Sequence, residues 1–183
     1  MDIVKHIKEH TGNLQKGLIS SSIEQRKNLI IALLNFYFLL DDFEEVTAKY
    51  IHLEIDKKQL ISDIRNEKVK QYQEANEKSL DGLDEYADDY EEPEPVEIFI
   101  LDALGNAVCD INSTENIVGL FIGVIDALDY FENFSDEPEF WNDVLEKEVN
   151  FQNEILSEIT AQEKIDPSVY HKRYGEIMEK HKL

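Results

Sequence analysis

The chain runs to 183 residues with 42% apolar and 10% aromatic side chains, enough for a single core that needs neither disulfide nor metal. Its formal charge is −22, from 40 acids against 18 Lys and Arg, which argues against nucleic acid or an anionic membrane as a direct partner. The opening MDIVKHIKEH lacks the apolar stretch of a secretory signal, and the longest apolar runs (Leu29–Leu40 and Ile117–Ile125) fall short of the ~20 residues that cross a bilayer, so a cytoplasmic protein is expected.

Turn signals are sparse, with seven Gly and four Pro, and helix signals recur. Residues 2–10 read as a short amphipathic helix with Ile3, Val4 and Ile7 on one side, ending at Gly12. Ser21 with Glu24 fits a capping box opening a helix through Leu40. Its stretch LIIALLNFYFLL is apolar nearly all round, which predicts a central, buried helix. Asp42 with Glu45 repeats the capping pattern before VTAKYIHLEI. Asp56 caps KKQLISDIRNEKVKQYQEANEK, read as one helix whose polar second half projects from the body. Pro93 and Pro95 suit a helix entry ahead of the stripe Leu101, Leu104, Val108 and Ile111, while VEIFILDALGNAVCDI also fits two short strands around Gly105–Asn106. Cys109 lies in this apolar stretch and is expected to be a buried, inert thiol. As the only cysteine it can make neither an internal disulfide nor a Cys-rich zinc site. Ser113 or Thr114 caps ENIVGLFIGVIDALDYFENF, and Ser135 or Asp136, with Pro138, starts a long helix through about Gln162. Asp166–Pro167 starts the last helix. The expected fold is all-α: a single-domain bundle of about eight helices over residues 1–183, its helical halves 1–78 and 94–183 joined by an acidic stretch, 79–93.

The charge is not spread evenly. From Ser79 to Glu146 there are 20 Asp and Glu and no Lys or Arg, while the remaining 115 residues hold the other 20 acids and all 18 bases. Within this zone GLDEYADDYEEPEPVE carries eight carboxylates, and Tyr86 and Tyr90 are spaced for one face of a helical turn. Further on, DALDYFENFSDEPEFWND sets Tyr130, Phe131, Phe134, Phe140 and Trp141 among seven acids. Aromatic anchors ringed by carboxylates suit a surface that meets an Arg- and Lys-rich protein.

Motifs for chemistry are weak. His6–His10 matches H-x-x-E-H, and helical spacing puts both imidazoles on one face as zinc requires. The pattern lies where chain ends fray, however, and only His52, His171 and His181 remain as further histidines, so no metal and no catalytic residue is expected. Gly119-x-x-x-Gly123 predicts close helix packing in the core. Asp126, Asp129 and Glu132 form a ladder that extends the acidic surface if it faces solvent, or holds a divalent cation if it faces inward; without an E-x-x-H partner the first reading is preferred. DDYEEPEP lacks the spacing of a calcium loop. No Walker loop, dinucleotide fingerprint, nucleophile elbow or kinase signature is present, and no cofactor is expected.

An acidic, all-helical chain with this base-free zone resembles the immunity proteins of bacterial toxin systems, especially those that block nuclease toxins. The stretch EPVEIFILDALGNAVCDINSTENIVGLFIGVIDALDYFENF is also similar in style to the helical core of the YjaG-like family, and no functional residues carry over from that likeness. The resemblance to immunity proteins implies a non-catalytic inhibitor whose carboxylates cover the basic cleft of a cognate toxin. The expected contacts are Asp84, Glu85, Asp88, Asp89, Tyr90, Glu91 and Glu92, with Asp136, Glu137, Glu139 and Trp141 as a second patch. Two other readings remain open at this level: a nucleic-acid mimic that inhibits a restriction or CRISPR effector, and a metal-dependent enzyme using paired carboxylates.

Overall fold

The structure is a computed structural model that describes residues 3–40, 43–81 and 91–181. Among these residues it holds nine helices and no strand: α1 (Ile3–Leu18), α2 (Ile23–Tyr37), α3 (Phe43–Ile51), α4 (Lys57–Arg65), α5 (Lys70–Asp81), α6 (Pro95–Cys109), α7 (Thr114–Phe134), α8 (Pro138–Thr160) and α9 (Val169–Lys180). The all-α expectation holds. The ambiguous stretch after Pro95 is helix, because Ile100, Ala103, Leu104, Ala107 and Val108 recur at helical spacing and all face the core.

Two helices form the centre. The α2 helix is buried almost all round, as its sequence predicted, and packs on α4, α6, α7 and α9. The α7 helix lies against α2 and also contacts α1, α6 and α8, while α3 and α5 cover the outside of α6. One hydrophobic cluster draws on all nine helices, from Leu14 of α1 to Met178 of α9. The α2–α7 contact depends on a glycine. The Tyr37 hydroxyl donates to the Leu120 carbonyl at 2.7 Å, and a Cβ at Gly123 would stand 2.5 Å from that hydroxyl oxygen. At Gly119 a Cβ would meet the Asn106 side chain at 2.9 Å. The Gly-x-x-x-Gly stretch is thus a packing device, as expected.

Local signals decide the helix ends, with several corrections. Gly12 does not stop α1; Leu14 and Leu18 continue the core-facing stripe, and their burial offsets the ~1 kcal/mol cost of a mid-helix glycine. The cap of α2 is Ser22 with Gln25, one residue beyond the expected pair, because the Ser21 hydroxyl instead donates to the Leu18 carbonyl at 2.6 Å. The expected cap Asp42 lies outside the described residues. Asp56 and Ser113 cap α4 and α7 through the amides of Gln59 and Asn116. At the start of α8 the cap position belongs to Glu137 rather than Ser135 or Asp136.

The largest correction concerns residues 57–78, expected as one helix. The chain breaks at Glu67, which adopts φ 56°, with Lys68 N–H donating to Asp63 O at 2.8 Å and Glu67 N–H to Ile64 O at 3.2 Å. That pair of bonds is a Schellman ending with glutamate where glycine is usual. The same motif closes α8 at Gln162, with φ 61° and bonds from Glu163 to Glu158 O and from Gln162 to Ile159 O. Nor does α5 project. Tyr72 is buried and donates to Asp63 Oδ2 at 2.7 Å, and the Gln73 amide donates to the Val108 and Cys109 carbonyls at the end of α6. Cys109 itself is exposed, correcting the expected burial; it sits one residue past the buried Ala107–Val108 pair, rotated off the core face.

Candidate protein-binding surface

The chain turns between Cys109 and Thr114, so α6 and α7 run back along each other and the first turn of α6 meets the last turn of α7. At that end the rings form a path: Phe99 meets Tyr130 edge-on at 6.0 Å, and Tyr130 stacks on Phe134 at 4.7 Å. Phe134 is 69% exposed, so the path ends in a ring open to solvent, and Ile98, next to Phe99 along α6, is 40% exposed. Acidic residues flank it on both sides. Glu91, Glu92 and Glu94 lead into α6, Asp136 and Glu137 lie in the turn from α7 into α8, and Glu139 stands in the first turn of α8, all of them exposed.

Helix polarity explains why carboxylates collect here. The N-termini of α6 and α8 both lie at this end, and each presents unbonded amides and a positive dipole end. Glu97 shows the effect, accepting from the Glu94 amide at 2.7 Å and from the Tyr50 hydroxyl at 2.8 Å. Burial pushes its carboxyl up, but the Glu94 amide, the Tyr50 hydroxyl and Lys49 outweigh it and hold the group below the usual range.

Among the described residues, only part of the expected contact set belongs to this surface. Asp84, Glu85, Asp88, Asp89 and Tyr90, together with Tyr86, lie outside the described residues. Glu91 is bound to Lys49 at 2.9 Å, and Glu137 to His181 Nδ1 at 2.6 Å, so both already have a partner within the chain. Trp141 is a correction. It is 1% exposed, with its ring 4.8 Å from that of Phe131 and edge-on to Phe140, and it belongs to the core. Phe140 in turn stacks on His181 at 4.0 Å, fastening the end of α9 to the start of α8. Glu92, Asp136 and Glu139 remain as exposed carboxylates of the surface. The apolar members Ile98 and Phe99 were missed, because their segment was read for its buried stripe alone.

A groove adjoins this end. It encloses about 470 Å³ between α1, α7 and α8. Ile7, Ile125, Leu145 and Val149 supply apolar lining. The ladder Asp126, Asp129 and Glu132 runs along one wall and Glu146 stands on α8, with Asn142 donating to Glu132 Oε1 at 3.0 Å. Burial raises the Asp126 carboxyl above its ordinary pKa, and Asp129 adds to the rise. Among the described residues no group of three or more His, Cys, Asp or Glu is arranged to hold a metal ion. His10 of the H-x-x-E-H pattern is buried, with Nε2 at 2.7 Å from Gln152 Oε1, and the His6 side chain lies outside the described residues.

Beneath the groove lies a buried carboxylate that the sequence reading overlooked. Glu148 has no exposed surface. Its Oε1 accepts from Gln152 Nε2 at 2.9 Å and the Tyr170 hydroxyl at 2.8 Å; its Oε2 accepts from the Tyr174 hydroxyl at 2.5 Å and lies 3.5 Å from Arg173 Nε. Gln152 Nε2 also donates to the Phe121 carbonyl at 3.0 Å, so its oxygen faces His10 and the imidazole must donate through Nε2. Desolvation raises the Glu148 pKa despite these donors. The signal was present: Trp141, Val144, Glu148, Gln152, Ile155 and Ile159 follow one helical stripe, which places Glu148 and Gln152 on the core face.

No helix among the described residues is long and apolar enough to cross a membrane. Comparison with known proteins finds no matching family model, no similar curated protein and no similar solved structure.

Proposed function

We propose that this chain is an immunity protein that neutralises a nuclease-type bacterial toxin by laying the acid–aromatic end of α6, α7 and α8 over the toxin's basic cleft. The observation that carries the reading is the exposed Phe134 ring at the end of the ring path, in a stretch of sequence rich in acids and free of Lys and Arg. Exposed rings are the anchors around which binding energy concentrates once water is excluded. The carboxylates speed encounter with a cationic surface and reject anionic ones. In the complex they occupy the place of nucleic-acid phosphates, so inhibition is stoichiometric and needs no bond-making step.

The test measures binding and inhibition of a nuclease toxin, the first candidate being any nuclease domain encoded beside this gene. Phe134→Ala should weaken binding about tenfold, the loss expected of a central aromatic anchor. The triple variant Glu92→Lys, Asp136→Lys, Glu139→Lys leaves the Lys49 and His181 pairs intact, and should slow association and flatten its salt dependence. Unchanged affinity and salt slope in both variants, or a nuclease that the wild-type protein does not inhibit, overturns the reading.

A further inference from the structure

The groove between α1, α7 and α8 has the makings of a specificity pocket, and we propose that it receives the side chains of a short amphipathic, lysine- or arginine-bearing segment of the protein partner. This deepens the toxin-binding reading and rests on it.

Charge complementarity identifies the occupant. Apolar and acidic side chains share each wall: Ile7 on α1, Ile125 with Asp126 and Asp129 on α7, and Leu145 and Val149 with Glu146 on α8, and among the described residues no Lys or Arg lines the space. An occupant that complements this lining carries both hydrocarbon and positive charge, as an amphipathic basic segment does. The enclosed volume of about 470 Å³ is in the range of a drug-sized ligand, so it admits a few inserted side chains rather than a whole helix. A contrasting cavity of about 650 Å³ near α9 sets Lys57 and Lys172 beside Glu176 and Glu179, and its balanced charges select neither sign.

Position supports the same assignment. Glu132 and Asn142 border both the groove and a second cavity, of about 500 Å³, lined by Pro138 and Glu139 at the acid–aromatic end. The groove thus adjoins the start of α8, and the two sites act as anchor and pocket of one interface.

The probe is a short fluorescein-labelled peptide of Leu and Lys with its leucines at helical spacing, compared with a scrambled peptide of identical composition by fluorescence anisotropy on the full chain. The ordered peptide should bind about tenfold more tightly than the scrambled one, because only it presents an apolar face. Asp126→Lys with Asp129→Lys, a variant that leaves the core alone, should weaken the ordered peptide about tenfold. Leu145→Ser should weaken the ordered peptide and not the scrambled one, whereas Phe134→Ala should leave the ordered peptide within about twofold of wild type. Equal binding of the two peptides, insensitivity to the Asp126/Asp129 pair, or displacement of the peptide by equimolar spermidine overturns the proposal; the last would reassign the groove to a small polycation. A nuclease inhibited as well by the Asp126/Asp129 variant as by wild type sinks the pocket and leaves the toxin reading standing. A nuclease that wild type fails to inhibit sinks the toxin reading itself.

Discussion

The two acidic regions of this protein use the same functional group in opposite ways. At Glu148 a single carboxylate is sealed in the core, and two tyrosine hydroxyls and a glutamine amide donate to it beside an arginine. At the acid–aromatic end many carboxylates stand in water, helped by two helix N-termini and crossed by an exposed ring path. Burial makes a charge costly unless each of its oxygens is satisfied, so the Glu148 set is an all-or-none element of the fold. Exposure makes each charge nearly neutral for stability, so the end is available to be shaped by a partner. Stability should therefore reside in one carboxylate, and recognition in the others.

The strongest test of this division is Glu148→Ala. It leaves the Tyr170 and Tyr174 hydroxyls and the Gln152 amide without their shared acceptor and Arg173 without its ion-pair partner, and should cost about 3–5 kcal/mol, read as a lower urea midpoint. A loss below about 1 kcal/mol would mean that water or rearrangement replaces the carboxylate, and the contrast would fail. Gly123→Ala comes next. The new methyl must displace the Tyr37 hydroxyl from Leu120 O, an overpacking cost of about 1–3 kcal/mol by the same measurement.

The pH response is smaller and of defined sign. Desolvation raises the carboxyls of Glu148, Asp102 and Asp126 above their ordinary values. The folded state therefore binds more protons than the unfolded one just above the ordinary carboxylate range, and stability should rise as pH is lowered from neutrality toward that range. A thermal midpoint that falls between pH 7 and pH 5 would contradict this, and Glu148→Gln should flatten the rise. The smallest effect belongs to Asp136→Lys with Glu139→Lys, which should leave stability within about 0.5 kcal/mol of wild type while reducing partner association. A double dissociation, with Glu148 variants unstable but binding-competent when folded and end variants stable but binding-deficient, would sharpen the comparison most.

Much of the helix content was legible because its signals are local. The central burial of α2, the caps Asp56 and Ser113 and the Gly119–Gly123 contact all rest on residues within a turn or two of each other. The endings at Glu67 and Gln162 were not legible, since a left-handed residue there is held by backbone bonds and lacks the glycine that usually announces it. Trp141 was misjudged for a related reason: its acidic neighbours were weighed above its place at the head of the stripe that runs to Ile159.

The sequence alone determined the helical class, the apolar centre and the concentration of negative charge between Ser79 and Glu146. Each of these follows from composition or from periodicity along the chain. Tertiary structure decided which rings turn outward, that Phe99 of α6 meets Tyr130 of α7, that Glu148 is buried among donors from α8 and α9, and that α1 closes a groove against α7 and α8. These outcomes join residues tens of positions apart, and the packing of helices against one another, which no local period encodes, brings them together.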